Sequence, residues 1–374
     1  MRIGLNATCF NDRPSGANQR FVGIYGALIR AHRDWEFLVY EPADCAVGGW
    51  FGDAPNVRAI ATPMRSTSRL QRGLRGVTYW PARHKQDRLD LFETFHLPLV
   101  CAANCPTVVT IHDARSTVAG AGIFRRALGR SVTRHALRAA DLVITVSETM
   151  KQELLGIEST ASVVSIYNGI DAEAFANGEG GPVAGLPTEY LLSVGHLEER
   201  KNYPRLIEAM AQLRGRRPGL GLVIVGNDGG QLDRIRRDID RLGLAGTVVL
   251  LNNISDRKLV DLYRGAQAVV FPSLYEGFGI PVLEAMAARR PLALSNLPVF
   301  AELTQGKGAY FPADNVDAMA LAINQLLDSP DRQRELIAYG DNRVHDFRFE
   351  ILAEQVESAY RHALAKSNRR SERV

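Results

Sequence analysis

Residues 273–287, Ser273-Leu-Tyr-Glu276-Gly-Phe-Gly279-Ile-Pro-Val-Leu-Glu284-Ala-Met-Ala, place two carboxylates eight positions apart around a glycine-bracketed turn. The run before them, Ala268-Val-Val-Phe-Pro272, reads as a short buried strand. Pro281 suits the first position of a helix, where its missing N–H has no intrahelical partner to lose. Glu276 is thereby expected at the carboxyl end of a strand and Glu284 in the first turn of the helix that follows. In open α/β sheets that strand edge is where ligands bind. Gly277 and Gly279 let the backbone come close to a ligand and point N–H groups at it. Two acids flanking a helix N-terminus suit a ligand with hydroxyls at both ends and a phosphate between, the layout of a nucleotide sugar.

Outward from this stretch, strand-like runs alternate with helix-period runs, which argues for parallel sheets. In the first half strands are expected near Arg2–Asn6, Glu36–Tyr40, Val57–Ile60, Leu91–Phe95, Thr107–His112, Leu142–Val146 and Val163–Tyr167. Residues 177–187, rich in Gly and Pro, read as a linker. A second series follows at Tyr190–Gly195, Leu222–Gly226, Val248–Leu251, Ala268–Phe271, Pro291–Leu294 and Ala309–Phe311. Between its first two members, Leu206, Ile207, Met210 and Leu213 share one helical face. The fold class is α/β: two Rossmann-like domains, 1–180 and 188–345, joined by one linker that leaves a cleft between facing carboxyl edges.

The second series opens with Gly195-His-Leu-Glu-Glu-Arg200-Lys201-Asn202 just ahead of a helix. Adjacent Arg and Lys in a strand-to-helix turn make a natural diphosphate clamp, combining helix N–H groups with two cations. Such a clamp stabilises the charge of a departing nucleoside diphosphate.

The string from Glu276 to Ala287 resembles the signature of the retaining glycosyltransferases of family 4, which have the GT-B fold. The resemblance is dense from Leu191 to Pro298. It implies that residues 348–374 form a helix packing back on the first domain. It implies that Glu276 holds donor-sugar hydroxyls and Glu284 the ribose hydroxyls, with the backbone of Gly277, Phe278, Gly279 and Ile280 meeting sugar or phosphate. Gly195 and Gly226, the latter in Val223-Ile-Val-Gly226, resemble the turns beneath the nucleotide, and Asn253 and Ile254 match the loop whose backbone reads the base. From the first domain, the Ser15-Gly16-Ala17 loop and the strand-ending His112 match positions that approach the donor. Ser147-Glu148 and Asn168-Gly-Ile-Asp171 also match and read as structural. The family usually carries Arg directly after the first glycine; this chain has His196 there, and Arg200 is expected to take over. The catalytic set implied is His112, Glu276, Arg200 and Lys201, with no metal and no cofactor. The Met1–Ala7 start and the Glu198–Asn202 and Tyr275–Gly279 runs look most like bacterial polysaccharide mannosyltransferases, which implies GDP-mannose as donor and a glycan or polyprenyl-diphosphate-linked oligosaccharide as acceptor. A UDP-sugar donor, or a GT-B-fold UDP-N-acetylglucosamine epimerase or hydrolase, is the alternative.

Bulk properties bound these readings. A chain of 374 residues suggests two domains. No apolar run approaches the ~20 residues that span a bilayer, and the start reads as a first strand and not a signal peptide, so a cytoplasmic location is expected. Net charge is +4, but basic residues cluster at Arg65–Arg88 and Arg115–Arg138, patches suited to an anionic membrane surface or to phosphorylated partners. Nucleic acid is not expected, for want of a recognition motif. Cys9, Cys45, Cys101 and Cys105 lack metal-ligand spacing and are expected to be reduced. Asn6-Ala-Thr8 and Asn253-Ile-Ser255 match glycosylation acceptors by pattern alone. Asp238-Ile-Asp240 has the spacing of a metal-binding D-x-D, but it sits in a helix-period run, where residues two apart diverge.

Overall fold

Short apolar, β-branched runs, each trailed by an amphipathic stretch, fold into two separate parallel sheets. The computed structural model describes residues 1–13, 15–97, 104–113, 123–177 and 185–371, apart from the side chains at 69, 70, 123–125 and 368–371. The chain divides into two compact units, Met1–Gly169 with Phe349–Val374, and Ile170–Arg348. The boundary at 169/170 precedes the glycine-rich stretch, of which 178–184 lies outside the described residues.

The first unit contains β1 (Arg2–Asn6), β2 (Glu36–Glu41), β3 (Val57–Ala61), β4 (Leu91–Thr94), β5 (Thr107–Ile111), β6 (Leu142–Thr145) and β7 (Val163–Ser165). Its helices are α1 (Gly16–Arg20), α2 (Gly26–Ala31), α3 (Arg69–Asp87), α4 (Ile123–Ala139) and α5 (Glu148–Leu155). The second unit contains α6 (Ala172–Ala176), β8 (Glu189–Val194), α7 (Tyr203–Arg216), β9 (Leu220–Val225), α8 (Leu232–Arg241), β10 (Val248–Leu251), α9 (Asp256–Gly265), β11 (Ala268–Phe271), α10 (Ile280–Ala287), β12 (Leu292–Ser295), α11 (Pro298–Thr304), β13 (Ala309–Phe311), α12 (Val316–Leu327) and α13 (Pro330–Arg343). The last helix, α14 (Phe349–Ser371), belongs to the first unit.

Strand order is β3-β2-β1-β4-β5-β6-β7 in the first sheet and β10-β9-β8-β11-β12-β13 in the second. Every pairing is parallel, with Ile3 opposite Leu91 in one sheet and Leu191 opposite Ala268 in the other. In both sheets the order reverses at one point, β1/β4 and β8/β11. The loops leaving such a pair diverge to opposite faces and open a crevice there.

Each expected strand is present, with ends shifted by a residue or two. Leu206, Ile207, Met210 and Leu213 are buried on α7 against Leu222, Ile224 and Val270 of the second sheet. In the first unit Leu352, Val356, Tyr360 and Ala363 of α14 share a core with Ile3, Leu5, Val39 and Leu91. A five-residue π-helical segment, Phe21–Tyr25, joins α1 to α2. Gly23 within it and Gly169 both face the Phe349 ring so closely that a Cβ on either would lie 2.4 Å or less from the ring. No helix among the described residues is long and apolar enough to cross a membrane.

Candidate functional site

At the carboxyl edge of the second sheet, five loops are stitched together by hydrogen bonds from backbone and side-chain amides. Leu197 N–H donates to Asn227 O (2.9 Å), tying the loop after β8 to that after β9. Asn253, at φ +47°, donates its N–H to Asn227 Oδ1 (3.2 Å), adding the loop after β10. Leu274 N–H donates to Arg200 O (2.7 Å), and Asn202 Nδ2 reaches Pro272 O (3.0 Å) and Ala313 O (2.8 Å), which fastens the loops after β11 and β13. Asn202 sits at φ +59°, a left-handed conformation that Asn tolerates.

Within that frame Lys201 Nζ pairs with Glu276 Oε1 at 2.7 Å, and Arg200 Nη1 with Oε2 at 2.7 Å. Ser273 Oγ donates to Oε1 (2.8 Å), and Arg200 Nε bonds Glu198 Oε2 (2.6 Å). Burial alone would raise the Glu276 carboxyl, but Lys201 and Arg200, helped by the Ser273 hydroxyl, hold it below the ordinary range. The expected division into two cations for phosphate and one acid for sugar is therefore a single ion cluster. Removing any member leaves a buried charge without its partner. His196 is exposed, while Arg200 makes the contacts to Glu276.

The glycines have two different reasons. Gly195 lies at φ +149°, and a Cβ there would come within 2.7 Å of Lys201 Cε and 2.8 Å of Nζ, so the lysine reaches Glu276 across bare backbone. A Cβ on Gly226 would lie 2.0 Å from Gly195 O; close packing of two loop backbones is sufficient reason for that glycine. Gly279 (φ +115°) caps α10, whose first residue is Ile280.

Two sequence expectations need correction. Pro281 is the second residue of α10, and Glu284 is the fifth, beyond the first turn, because the left-handed Gly279 starts the helix one residue earlier. Glu284 is buried and accepts a hydrogen bond from Tyr263 on α9 (2.7 Å). Burial pushes its carboxyl up to about 7, against the opposing Tyr263 hydrogen bond and the nearby Lys201 ammonium. Phe278 points into the core, edge-on to Phe347 at 6.3 Å, leaving only its backbone near the edge. Asp238 and Asp240 lie on α8, Asp238 bonding Arg241, and no cluster of metal-ligating groups occurs among the described residues. Cys9, Cys45 and Cys105 form no disulfide among the described residues, the Cys9 thiol donating to Phe95 O and that of Cys45 to Asp12 Oδ1; Cys101 lies outside the described residues, as does Arg115 of the second basic run.

The first sheet's edge is built differently. Ser15 caps α1 (Asn18 N–H to Ser15 Oγ, 3.1 Å), which places Gly16 as the first helical residue. His112 follows β5; burial, reinforced by the Arg20 charge and opposed by Asp113, holds its imidazole down to about 3, so the ring is neutral. Its Nε2 has no partner among the described residues. Arg20, 1% exposed, donates Nη1 to Ile166 O (2.8 Å), Tyr167 O and Asn168 Oδ1. At the β1/β4 reversal, His96 Nε2 meets Thr8 Oγ1 (3.2 Å) and Asn6 Nδ2 (3.4 Å). Ser147 and Asp171 cap α5 and α6. Sequence reasoning missed Ser273, Tyr263, Arg20 and His96. Only Ser273, three residues before Glu276, and His96, two after a strand end, carried a local signal.

Both halves of the chain match known families. A family model described as glycosyl transferases group 1 matches residues 184–343, and one described as glycosyltransferase family 4 matches 17–174. A Mycobacterium tuberculosis glycogen synthase is 33% identical over 267 residues, 68% of this chain; the match spans 63% of that relative's length. A Mycolicibacterium smegmatis phosphatidyl-myo-inositol mannosyltransferase is 28% identical over 96% of this chain and 93% of its own. Among solved structures, the Thermosynechococcus elongatus sucrose-phosphate synthase superposes with a TM-score of 0.77 at 24% identity, covering 97% of this chain and 99% of its own.

Proposed function

Because the chain belongs to glycosyltransferase family 4 and has its GT-B fold, we propose that it transfers a hexose from a nucleotide-diphosphate sugar to a hydroxyl, with retention of configuration and without a metal ion. The observation that carries this reading is the Lys201–Glu276–Arg200 cluster at the β8/β11 reversal. In such a transfer the bond from the anomeric carbon to the phosphate oxygen breaks, and its electron pair stays on that oxygen. Lys201, Arg200 and loop N–H groups stabilise the charge, while Glu276 orients the sugar and keeps both cations in place. The acceptor oxygen bonds to the anomeric carbon, and its proton passes to the departing phosphate. The neutral imidazole of His112 serves as a hydrogen-bonding group toward the sugar, and Glu284 holds the ribose.

Mannose from GDP-mannose is the donor we favour, supported by the mannosyltransferase relative that matches 96% of the chain. The acceptor is proposed to be a glycan or polyprenyl-diphosphate-linked oligosaccharide of bacterial surface polysaccharide synthesis, met at the inner membrane face. Supporting a membrane contact, α3 exposes Leu74 (68%) and Val77 (74%), and Arg75 between them in sequence lines, with Arg65, a cavity of about 650 Å³. Exposed apolar side chains flanked by arginines suit an anionic interface.

The test is thermal stabilisation by a panel of nucleotides and nucleotide sugars, followed by nucleotide release with and without acceptor glycan. A ligand at 100 times its Kd adds about 2.7 kcal/mol. Selective stabilisation by GDP and GDP-mannose supports the donor, and a preference for UDP-sugars replaces it. Nucleotide release that needs no acceptor overturns transfer in favour of an epimerase or hydrolase.

A further inference from the structure

The carboxylate of Glu284 is fixed from a different element. Tyr263 of α9 is fully buried, and its hydroxyl lies 2.7 Å from Glu284 Oε2 and 3.4 Å from Pro281 O. Its ring is edge-on to Phe175 of α6 (centroids 5.7 Å apart, 77° between planes), and Arg264, the next residue, bonds the carbonyls of Phe175 and Ala176. The phenol therefore has little freedom to swing away. Glu284 Oε1 accepts no hydrogen bond among the described residues, so Tyr263 occupies one oxygen and leaves the other for a ligand.

We propose that Tyr263 is a positioning residue for nucleotide recognition: by holding Oε2 of Glu284 it turns Oε1 toward the ribose diol, and so sets how strongly the protein demands that diol. The proposal rests on the reading of Glu284 as the ribose partner. A carboxylate accepts hydroxyl protons best when ionised. The groups acting on Glu284 are the Tyr263 hydroxyl, the Lys201 ammonium and, opposing both, the Asp256 carboxylate at the start of α9. Tyr263 and Lys201 favour the ionised form. With the carboxyl near 7, nucleotide affinity should rise with pH through that value. Deleting the hydroxyl removes one of the two groups favouring ionisation, and the midpoint should move up.

The experiment measures calorimetric Kd values for GDP and UDP, each with its 2′,3′-dideoxy analogue, from pH 6 to 9. Tyr263→Phe keeps the ring and should weaken binding of the preferred ribonucleotide about tenfold at pH 7, the worth of one hydrogen bond to a charged group. The deficit should shrink by pH 9, and the penalty for the dideoxy analogue should fall in parallel, with kcat at saturating donor within about twofold of normal. A Tyr263→Phe protein that loses melting temperature but keeps Kd, pH midpoint and dideoxy penalty overturns the proposal, because Tyr263 would then be core packing only. Glu284→Ala separates the two ideas. If it too leaves Kd unchanged, the ribose reading itself fails; if it weakens binding while Tyr263→Phe does not, only the role of Tyr263 fails. Should Tyr263→Phe not fold, the natural protein still decides: affinity that is flat from pH 6 to 8, or equal for the dideoxy analogue, overturns the proposal.

Discussion

The two sheets share one strand order but handle charge at their reversal points in opposite ways. At β8/β11 two cations and two acids, Arg200, Lys201, Glu198 and Glu276, neutralise one another within hydrogen-bond distance, and each loop is tied to its neighbour. At β1/β4 the groups that meet are Asn6, Thr8 and His96, with neither a carboxylate nor a guanidinium among them. The buried titratable groups of the first unit lie deeper: Glu93 on β4 accepts from Tyr25 (2.7 Å), Thr110 and Tyr360, with Arg20 close enough to act on it. The charged groups of the second edge gather in its loops, whereas Arg20 and Glu93 of the first unit lie within its core. One topology thus supplies a position for a site, and the loop residues decide what kind of site it is.

The sharpest way to break this contrast is Glu276→Gln. It keeps the shape but removes the charge shared by Lys201 and Arg200, and turnover should fall by about 10³, within the range for losing a key electrostatic group. Turnover within tenfold of normal would detach the cluster from the chemistry. Gly195→Ala forces Lys201 off its path and should cut kcat by about 10² while lowering stability by about 1–3 kcal/mol for strain at a left-handed position. A crystal structure of that variant with Lys201 unmoved would sink the explanation.

On the other side of the comparison, Tyr360→Phe should cost about 1–3 kcal/mol of stability by stripping a donor from buried Glu93, with little effect on KM. Denaturant unfolding reads the first quantity and steady-state kinetics the second; a large KM change would give Glu93 a place in binding. A smaller effect comes from pH. Glu284, raised from 4.5 to about 7, stays protonated in the folded chain while the unfolded chain has ionised, so its contribution to stability falls as pH rises through that window. Glu276 has a lowered value and contributes the opposite way: stability present above 4.5 and lost as pH drops through its folded value. Glu284→Gln should flatten the slope between pH 5 and 7, and an unchanged slope would assign it to other groups. Smallest of all, Asp238→Asn with Asp240→Asn, or excess chelator, should leave activity within about twofold, since on one helix those carboxylates diverge. A chelator-sensitive rate would require a metal site elsewhere.

Legibility followed the same divide. The second unit's candidate site lies in two short runs, 195–202 and 273–284, each just after a strand, so local pattern placed Arg200, Lys201, Glu276 and Glu284 together at one edge. Even there the pattern missed the partners. Arg200 and Glu276 are 76 positions apart, and Tyr263 lies on a different helix from Glu284. In the first unit the polar groups come from β1, β4, β5 and the π-helical segment, none adjacent in sequence to the others. Phe21–Tyr25 carries no periodicity that separates a π turn from an α turn.

Hydrophobic period and turn residues alone determined that this chain alternates strand and helix, and where each strand lies to within a residue or two. Family resemblance added the expectation that Glu276, Glu284, Arg200 and Lys201 act as one set. Tertiary structure alone decided that Glu276 is the common counter-ion of both cations, that Glu284 rests on Tyr263, that Gly226 answers to Gly195, and that α14 completes the first unit's core. The physical reason is range: periodicity reports which face of an element is apolar, whereas contacts across a sheet edge depend on strand order and loop path, which no local pattern contains.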